Sequence, residues 1–458
     1  MPVTVVVLAA GQGKRMHSAL PKVLQPLAGR PLLAHVLEAA RKLEPAAIHI
    51  VYGHGGDTVK AAFADQPDLR WALQSEQLGT GHAVMQAMPS IPDDHQVLVL
   101  LGDVPLVRTR TLQRLVNDSV EGELALLTAV ADDPSGYGRV IRDERGEVAR
   151  IVEEKDATDD ERRVNEVNTG VIAFGAAELR RCLASLDNDN AQGEYYLTDV
   201  IAMSAQRGIK VHGIVVDSAT EVLGINDRAQ LALAERTLQR QIAQDLMSRG
   251  VAFADPERVD VRGTLTVGRD VFIDVGAVFE GTVELGDNVK IGPYAVIADS
   301  KLGAGTLVHP HSVMTGIVAG PNCEIGPFAR LRPGADLGSK VKVGNFVEIK
   351  KSAVADGSKI NHLSYVGDAT IGRDVNVGAG TITCNYDGAN KHHTTIGDRV
   401  FVGSGVMLVA PVSLGEGATI GAGSTITKDA PAGELTLERS KQATVPGWQR
   451  PKKKSPRS

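Results

Sequence analysis

The sequence predicts two domains of different architecture: an α/β domain with a mainly parallel, Rossmann-like sheet, and a left-handed parallel β-helix, joined by a long helix. Two patterns predict it. In the first half, short continuous apolar runs alternate with segments of helical length. In the second half, an aliphatic residue recurs on every sixth position. A length of 458 residues agrees, because one hydrophobic core rarely organises so long a chain.

Residues 3–9 form an unbroken apolar, β-branched run, as a strand buried on both faces of a parallel sheet requires. Ala47–Tyr52, Gln96–Leu101, Leu124–Val130 and residues 171–174 read the same way, and a helical pattern covers 31–43. This alternation argues for an α/β fold, whose ligands sit at the carboxyl ends of the strands. Residues 227–249 read as one helix: Leu231, Leu238, Ile242 and Leu246 recur at helical spacing, and Gly250 stops it. The expected division is 1–227, a linker helix 228–249, and 250–458 with a disordered basic tail at 452–458.

The six-residue period runs through Val261, Val267, Ile273, Phe279, Leu285, Ile291 and Ile297. It resumes at Ile325, Leu331, Leu337, Val343 and Ile349, and again from Ile396 through Val402, Leu408, Leu414 and Ile420 to Ile426. Neither a helix nor an alternating strand has this period; hexapeptide repeats of a parallel β-helix do. Three hexapeptides make one triangular coil of eighteen residues, with the aliphatic side chain inside. Breaks near 318–324 and 383–395 read as insertions that form loops over a site or toward a neighbour.

Composition narrows the function classes. A net charge of −6 supplies no basic field for nucleic acid or an anionic membrane. No apolar run is long enough to span a bilayer, and the basic residues follow the N-terminal apolar run, unlike a signal peptide. Cys182, Cys323 and Cys384 are too widely spaced for a zinc site or a disulfide framework, and reduced, mostly buried thiols in a cytoplasmic protein are expected.

The N-terminal motifs lie where the fold would put a ligand. Leu8-Ala9-Ala10-Gly11-Gln12-Gly13-Lys14-Arg15-Met16 leaves the first strand, and Pro21-Lys22 follows. Gly11 and Gly13 let backbone N–H groups approach an anion, and Arg15 and Lys22 bring charge to it. Asp103, in Leu101-Gly102-Asp103-Val104-Pro105, ends another buried strand and could hold Mg²⁺ against a phosphate. Gln74, with the loop Gly79-Thr80-Gly81, suits the edge of a base. In the second half, polar residues interrupt the repeat. Arg332 and Lys350 are eighteen residues apart, so they should stack as two aligned cations, a phosphate site. His362, with Tyr365 nearby, is the general-base candidate, since imidazole titrates near neutral pH.

The Leu-Ala-Ala-Gly, Pro-Lys, Gln-Leu-Gly-Thr-Gly-His-Ala and Gly-Asp-Val-Pro-Leu motifs resemble those of sugar-phosphate nucleotidyltransferases. Joined to repeats carrying Gly-Thr-Ile-Thr-Cys-Asn-Tyr-Asp-Gly, they resemble the GlmU family of bacterial bifunctional enzymes, over all but the tail. The resemblance implies acetyl transfer from acetyl-CoA to glucosamine-1-phosphate, then uridyl transfer from UTP to N-acetylglucosamine-1-phosphate with release of pyrophosphate. UDP-N-acetylglucosamine then feeds peptidoglycan and lipopolysaccharide synthesis. It implies that Leu8, Ala9, Ala10, Gly11, Lys22, Gln74, Gly79, Thr80, Leu101, Gly102 and Asp103 line the nucleotide site. Gly138, Glu153 and Asn168 would hold the amino sugar and Asn226 would complete the site, with Mg²⁺ on Asp103 and Asn226 and catalysis aided by Arg15 and Lys22. For the second site it implies glucosamine-1-phosphate on Arg332, Lys350, Tyr365 and Asn376. Acetyl-CoA would lie on Ala379, Asn385, Tyr386, Ser404, Ala422 and Arg439, with His362 as base, in a homotrimer. Lys14 stands where the family usually has Thr, and Leu101 where Tyr occurs. A rival reading makes the β-helix a trimerisation and regulatory module only, as in bacterial ADP-glucose pyrophosphorylases.

Overall fold

Alternate residues of the Val3–Leu8 strand face opposite layers: Val5 and Val7 pack into one core, Val6 into another, and all three are fully buried. The first core is closed by Leu33, Val36 and Leu37 of the Leu32–Arg41 helix and by Leu112 and Leu115 of Thr109–Asp118. The second is closed by Val84 of Thr80–Ala87, Leu179 of Ala176–Leu183 and Val200 of Asp199–Gln206. A sheet covered by helices on both faces is why these strands read as unbroken apolar runs. The computed structural model describes residues 1–451 except Gln12, His54, Val120 and Glu121; the expected basic tail lies outside the described residues.

The main strand order is Val211–Val215, Leu124–Val130, Glu166–Gly175, Gln96–Leu101, Val3–Leu8, Ala47–Tyr52, Leu69–Leu73. All neighbours are parallel except Glu166–Gly175, which runs antiparallel to both of its partners. Its first half is bulged between Asn168 and Ile172, where the strand borders a cavity. A hairpin of Arg139–Arg142 and Val148–Val152 joins at the same place.

The predicted linker is the helix Arg228–Ser248. Ala234, with Leu231 and Leu238, packs on Leu27, Leu32, Leu106 and Ile225. The chain divides into two compact units, Met1–Ile242 and Ala243–Ser458, so the boundary falls inside this helix.

The second unit is a solenoid of short parallel strands. Its inward residues stack coil on coil, as in Val343, Ile360 and Val377, or Val402 and Ile420, each pairing with the next. The small residues between them, Ala277, Val283, Val289 and Ala295, are also buried. Coils are not uniformly eighteen residues. Leu285 pairs with Leu302, Ile297 with Met314 and Met314 with Leu331, seventeen apart, because one corner in these coils takes a five-residue step, whereas Leu331 and Ile349 are eighteen apart. This corrects the expected insertion at 318–324: Val318–Ala319 is an in-phase strand between Lys301–Leu302 and Asp336–Leu337. The second interruption is a real insertion, since Ile371 pairs with Ile396 and Val377 with Val402 across it. Ile360, fully buried in this stack, should be sensitive to truncation. Ile360→Ala is expected to cost about 2–5 kcal/mol, the usual loss for such a cavity, seen as an earlier thermal transition of the second unit.

One corner carries an unusual ladder. Three residues after Ile291, Val308, Ile325, Val343 and Ile360 come Tyr294, His311, Phe328, Phe346 and Leu363, all with left-handed backbone at φ from 48° to 58°. The first four rings stack at centroid distances of 5.2, 5.1 and 5.4 Å. Left-handed backbone disfavours non-glycine residues, so the ladder is held at a conformational cost and yet stays exposed.

Candidate active sites

In the first unit, the strand ends and the loops after them surround a cavity of about 270 Å³. Leu8, Thr80, Leu101, Asp103, Gly138, Glu153, Asn168 and Asn226, eight of the sequence candidates, line it together. Asp103 follows the Gln96–Leu101 strand, and Gly102 is held to the first strand by its N–H to the Leu8 carbonyl at 2.9 Å. Asn226 comes from far along the chain. Its segment is pinned because Ile225 N–H donates to the Asp103 carbonyl at 2.9 Å and Arg108 N–H to the buried Glu221 carboxylate at 3.1 Å. Nothing in the local sequence signals this clamp.

Lys22 closes the group. Its ammonium forms an ion pair with Asp103 Oδ2 and donates to Asn226 Oδ1 at 3.1 Å. Two oxygens therefore converge on one cationic group, and both residues suit a hard divalent cation that takes few protein oxygens. Among the described residues there is no cluster of three or more His, Cys, Asp or Glu that could form a self-sufficient metal cage. Gly13, at φ 62°, lets the loop pass Lys22: a Cβ there would stand 2.6 Å from Lys22 Cβ.

The loop expected to face a base is tied down by side-chain amides. Buried Gln74 donates to the Gly79 carbonyl at 3.1 Å, and Gln77 donates to the Ala10 carbonyl at 2.9 Å, tying this loop to the Ala9-Ala10-Gly11 turn. Gly79 has φ 104°, and a Cβ on it would lie 2.6 Å from the Tyr195 carbonyl oxygen. Arg15 is not brought to the cavity; it sits exposed on the short turn Lys14–Met16, as does Lys14. Glu153 accepts a hydrogen bond from Thr198 at 2.9 Å. Burial, reinforced by Asp199, Asp156 and Glu194, pushes its carboxyl above the ordinary value.

In the second unit, Leu331 pairs with Ile349, which sets Arg332 and Lys350 at the same register on successive coils. Arg332 donates to Glu348 at 2.8 Å, and Glu348 pairs in register with Tyr365. A third cation joins them: Lys391, from the insertion, and then Arg332 hold the Lys350 ammonium below its ordinary lysine value. Arg332 keeps Glu348 as its counter-charge, whereas the Lys350 and Lys391 ammonium groups repel one another, an arrangement that suits an anion. The sequence reading missed Lys391, although it had marked the insertion that delivers it. The loop is shaped by Asp387, which accepts from Ala389 N–H at 2.8 Å, Asn390 N–H at 2.6 Å and His392 Nε2 at 2.7 Å. These bonds hold the Asp387 carboxyl well below the usual carboxylate range.

His362 lies two residues after Ile360 and is exposed. The coils above it place Ala379, Ser404 and Ala422 at that same offset, two residues after Val377, Val402 and Ile420. Gly405 N–H donates to the Ala379 carbonyl at 2.7 Å and Gly423 N–H to the Ser404 carbonyl at 2.8 Å, and Arg439 donates to the Ala422 carbonyl at 3.1 Å. One corner thus carries an imidazole, then a column of small residues, then a guanidinium. Asn385 is buried and donates to Asp368 at 2.5 Å, while Tyr386 is exposed and its hydroxyl donates to the Gly388 carbonyl at 2.6 Å. Asn376 lies one coil above Lys359, in the strand pairing with it. All three cysteines are free; Cys182 and Cys323 are buried, whereas Cys384 beside the insertion is partly exposed.

Residues 5–204 match the family model of the MobA-like NTP transferase domain. Residues 265–299, 282–316 and 393–428 match that of the bacterial transferase hexapeptide (six repeats). The chain is 60% identical over 448 residues to the bifunctional protein GlmU of Alkalilimnicola ehrlichii, covering 98% of this chain and 96% of that protein. It is 58% identical to that of Stenotrophomonas maltophilia, over 99% of both chains, and 57% identical to that of Xanthomonas axonopodis, over 100% of both. A nucleotidyltransferase sheet and a hexapeptide solenoid, shared from end to end with such relatives, place the chain in the GlmU family of bifunctional enzymes.

Proposed function

We propose how the residues of this bifunctional enzyme of UDP-N-acetylglucosamine synthesis divide its two reactions, acetyl transfer from acetyl-CoA and uridyl transfer from UTP. The observations that support the proposal are the convergence of Lys22, Asp103 and Asn226 in the first unit and, in the second, the gathering of Arg332, Lys350 and Lys391 with the exposed His362 at a corner of the same solenoid. Residues 1–227 hold the uridyltransferase and 250–458 the acetyltransferase, joined by the helix at 228–249.

In the first site, Gln74 and the Gly79-Thr80 loop face the base, and Gly138, Glu153 and Asn168 face the amino sugar. The sugar-phosphate oxygen attacks the α-phosphorus of UTP, the α–β bridging bond breaks, and pyrophosphate leaves. No protein nucleophile is needed, because the attacking group is already an anion. Lys22 neutralises charge on the phosphates. Asp103 and Asn226 would hold Mg²⁺, which when bound offsets the charge of the triphosphate.

In the second site, Arg332, Lys350 and Lys391 hold the phosphate of glucosamine-1-phosphate, with Tyr365 and Asn376 on the sugar. The CoA arm runs along Ala379, Ser404 and Ala422 to Arg439, flanked by Asn385 and Tyr386. The sugar amine attacks the thioester carbon, His362 takes the amine proton, and CoA leaves as the thiol after the C–S bond breaks. The base and this column make the regulatory-module reading of the β-helix unnecessary. Lys391→Met tests the phosphate site: it is expected to raise the KM for glucosamine-1-phosphate roughly 10-fold, leaving that for UTP unchanged. An unchanged sugar-phosphate KM would remove Lys391 from the site.

The same proposal makes the protein a cytoplasmic homotrimer. The exposed ladder of Tyr294, His311, Phe328 and Phe346 supports association, since apolar rings held out in left-handed backbone gain from being covered. The three free cysteines support a reducing compartment, and no described helix is long and apolar enough to cross a membrane.

A further inference from the structure

His362 stands with one ring nitrogen already engaged. Asn345 and His362 occupy the same register on successive coils, and Asn345 Oδ1 lies 3.0 Å from His362 Nδ1. The backbone fixes both: Leu363 N–H donates to the Asn345 carbonyl at 3.1 Å, and Gly380 N–H to the His362 carbonyl at 3.2 Å. An amide oxygen can only accept, so a hydrogen bond to it requires the proton on Nδ1 and leaves the lone pair on Nε2. We propose that Asn345 is the positioning residue of acetyl transfer, holding the His362 imidazole in the tautomer whose Nε2 faces the substrate amine. The inference rests on the reading of His362 as the base.

An amide suits this place better than a carboxylate would. Asp would select the same tautomer, but its charge would also favour the imidazolium, which cannot take a proton. The surroundings keep acids away from the ring. The charged groups on the strands beside His362 are Lys342, paired with Glu324 at 2.8 Å, and Lys359, each three residues before the corner. The strand above, Asn376–Val377, has none. On the adjoining face Glu348 is bonded to Arg332 and Asp368 to Asn385.

The test compares acetyl transfer by the full chain and by Asn345→Leu, Asn345→Asp and His362→Ala, across the pH range in which imidazole titrates. Asn345→Leu is expected to lower kcat roughly 10–100-fold with both KM values within about 2-fold, as for loss of an orienting partner. Asn345→Asp is nearly isosteric and keeps an acceptor. It should recover most of the rate at high pH, with its rate inflection moved up by about one pH unit. The inference is overturned if Asn345→Leu keeps wild-type kcat, or if Asn345→Asp stays as slow as Asn345→Leu at high pH, while His362→Ala is inactive. If His362→Ala itself keeps its rate, the base reading falls and this inference falls with it.

Discussion

Replacing His362 by alanine is expected to lower acetyl transfer by roughly 10²–10⁴-fold, the range for losing a positioned general base. The amine of glucosamine-1-phosphate must shed a proton as it attacks, and His362 is the imidazole at the foot of the Ala379–Ser404–Ala422 column. Substrate binding should change little, because the phosphate site proposed on Arg332, Lys350 and Lys391 is left intact. His362 is exposed, so the variant should fold, and uridyl transfer, which uses residues of the other unit, should persist. The measurement is single-turnover acetyl transfer at saturating acetyl-CoA and sugar phosphate. A folded variant with more than about a tenth of the wild-type rate would show that the proton leaves by another route.

Asp103→Ala is expected to have the converse effect, lowering pyrophosphate release by at least ~10²–10³-fold, the cost of losing one preorganised charged group. Asp103 is the ion-pair partner of Lys22, whose side chain is only 13% exposed, and one of the two residues proposed to hold a divalent cation. Its loss leaves the Lys22 ammonium with Asn226 alone among the partners seen here, so the cation that meets the phosphates is misplaced as well. Asp103→Asn keeps the shape and removes only the charge, and it should be nearly as slow. Acetyl transfer should stay within a few-fold in both. Equal loss of the two activities in a folded variant would contradict separate sites.

What the sequence could reveal depended on burial. Ala47–Tyr52, Gln96–Leu101 and Leu124–Val130 coincide with the predicted strands because each is buried on both faces and therefore mostly apolar, with one polar residue apiece in His49, Gln96 and Thr128. Leu69–Leu73 and Val211–Val215 escaped because they are the edge strands of the sheet's main run, half exposed and interrupted by Arg70 and His212. Only the second half of Glu166–Gly175 was legible, since its first half carries the polar residues that line the cavity. Its antiparallel direction leaves no trace in an apolar run. In the solenoid the six-residue period was plain, but five-residue steps resembled an insertion. Motif residues around Lys22, Asp103 and His362 were found because glycine turns and repeats mark their places. Asn345, Glu221 and Lys391 act through contacts between distant segments, which no local pattern records.

The central claim is that two independent residue sets carry two reactions linked by a free intermediate. Mixing Asp103→Ala protein with His362→Ala protein, and supplying glucosamine-1-phosphate, acetyl-CoA and UTP, tests it directly. Each variant alone should make almost no UDP-N-acetylglucosamine, while the mixture should make it at a rate within a few-fold of wild type. A mixture as inert as its separate components would contradict the account.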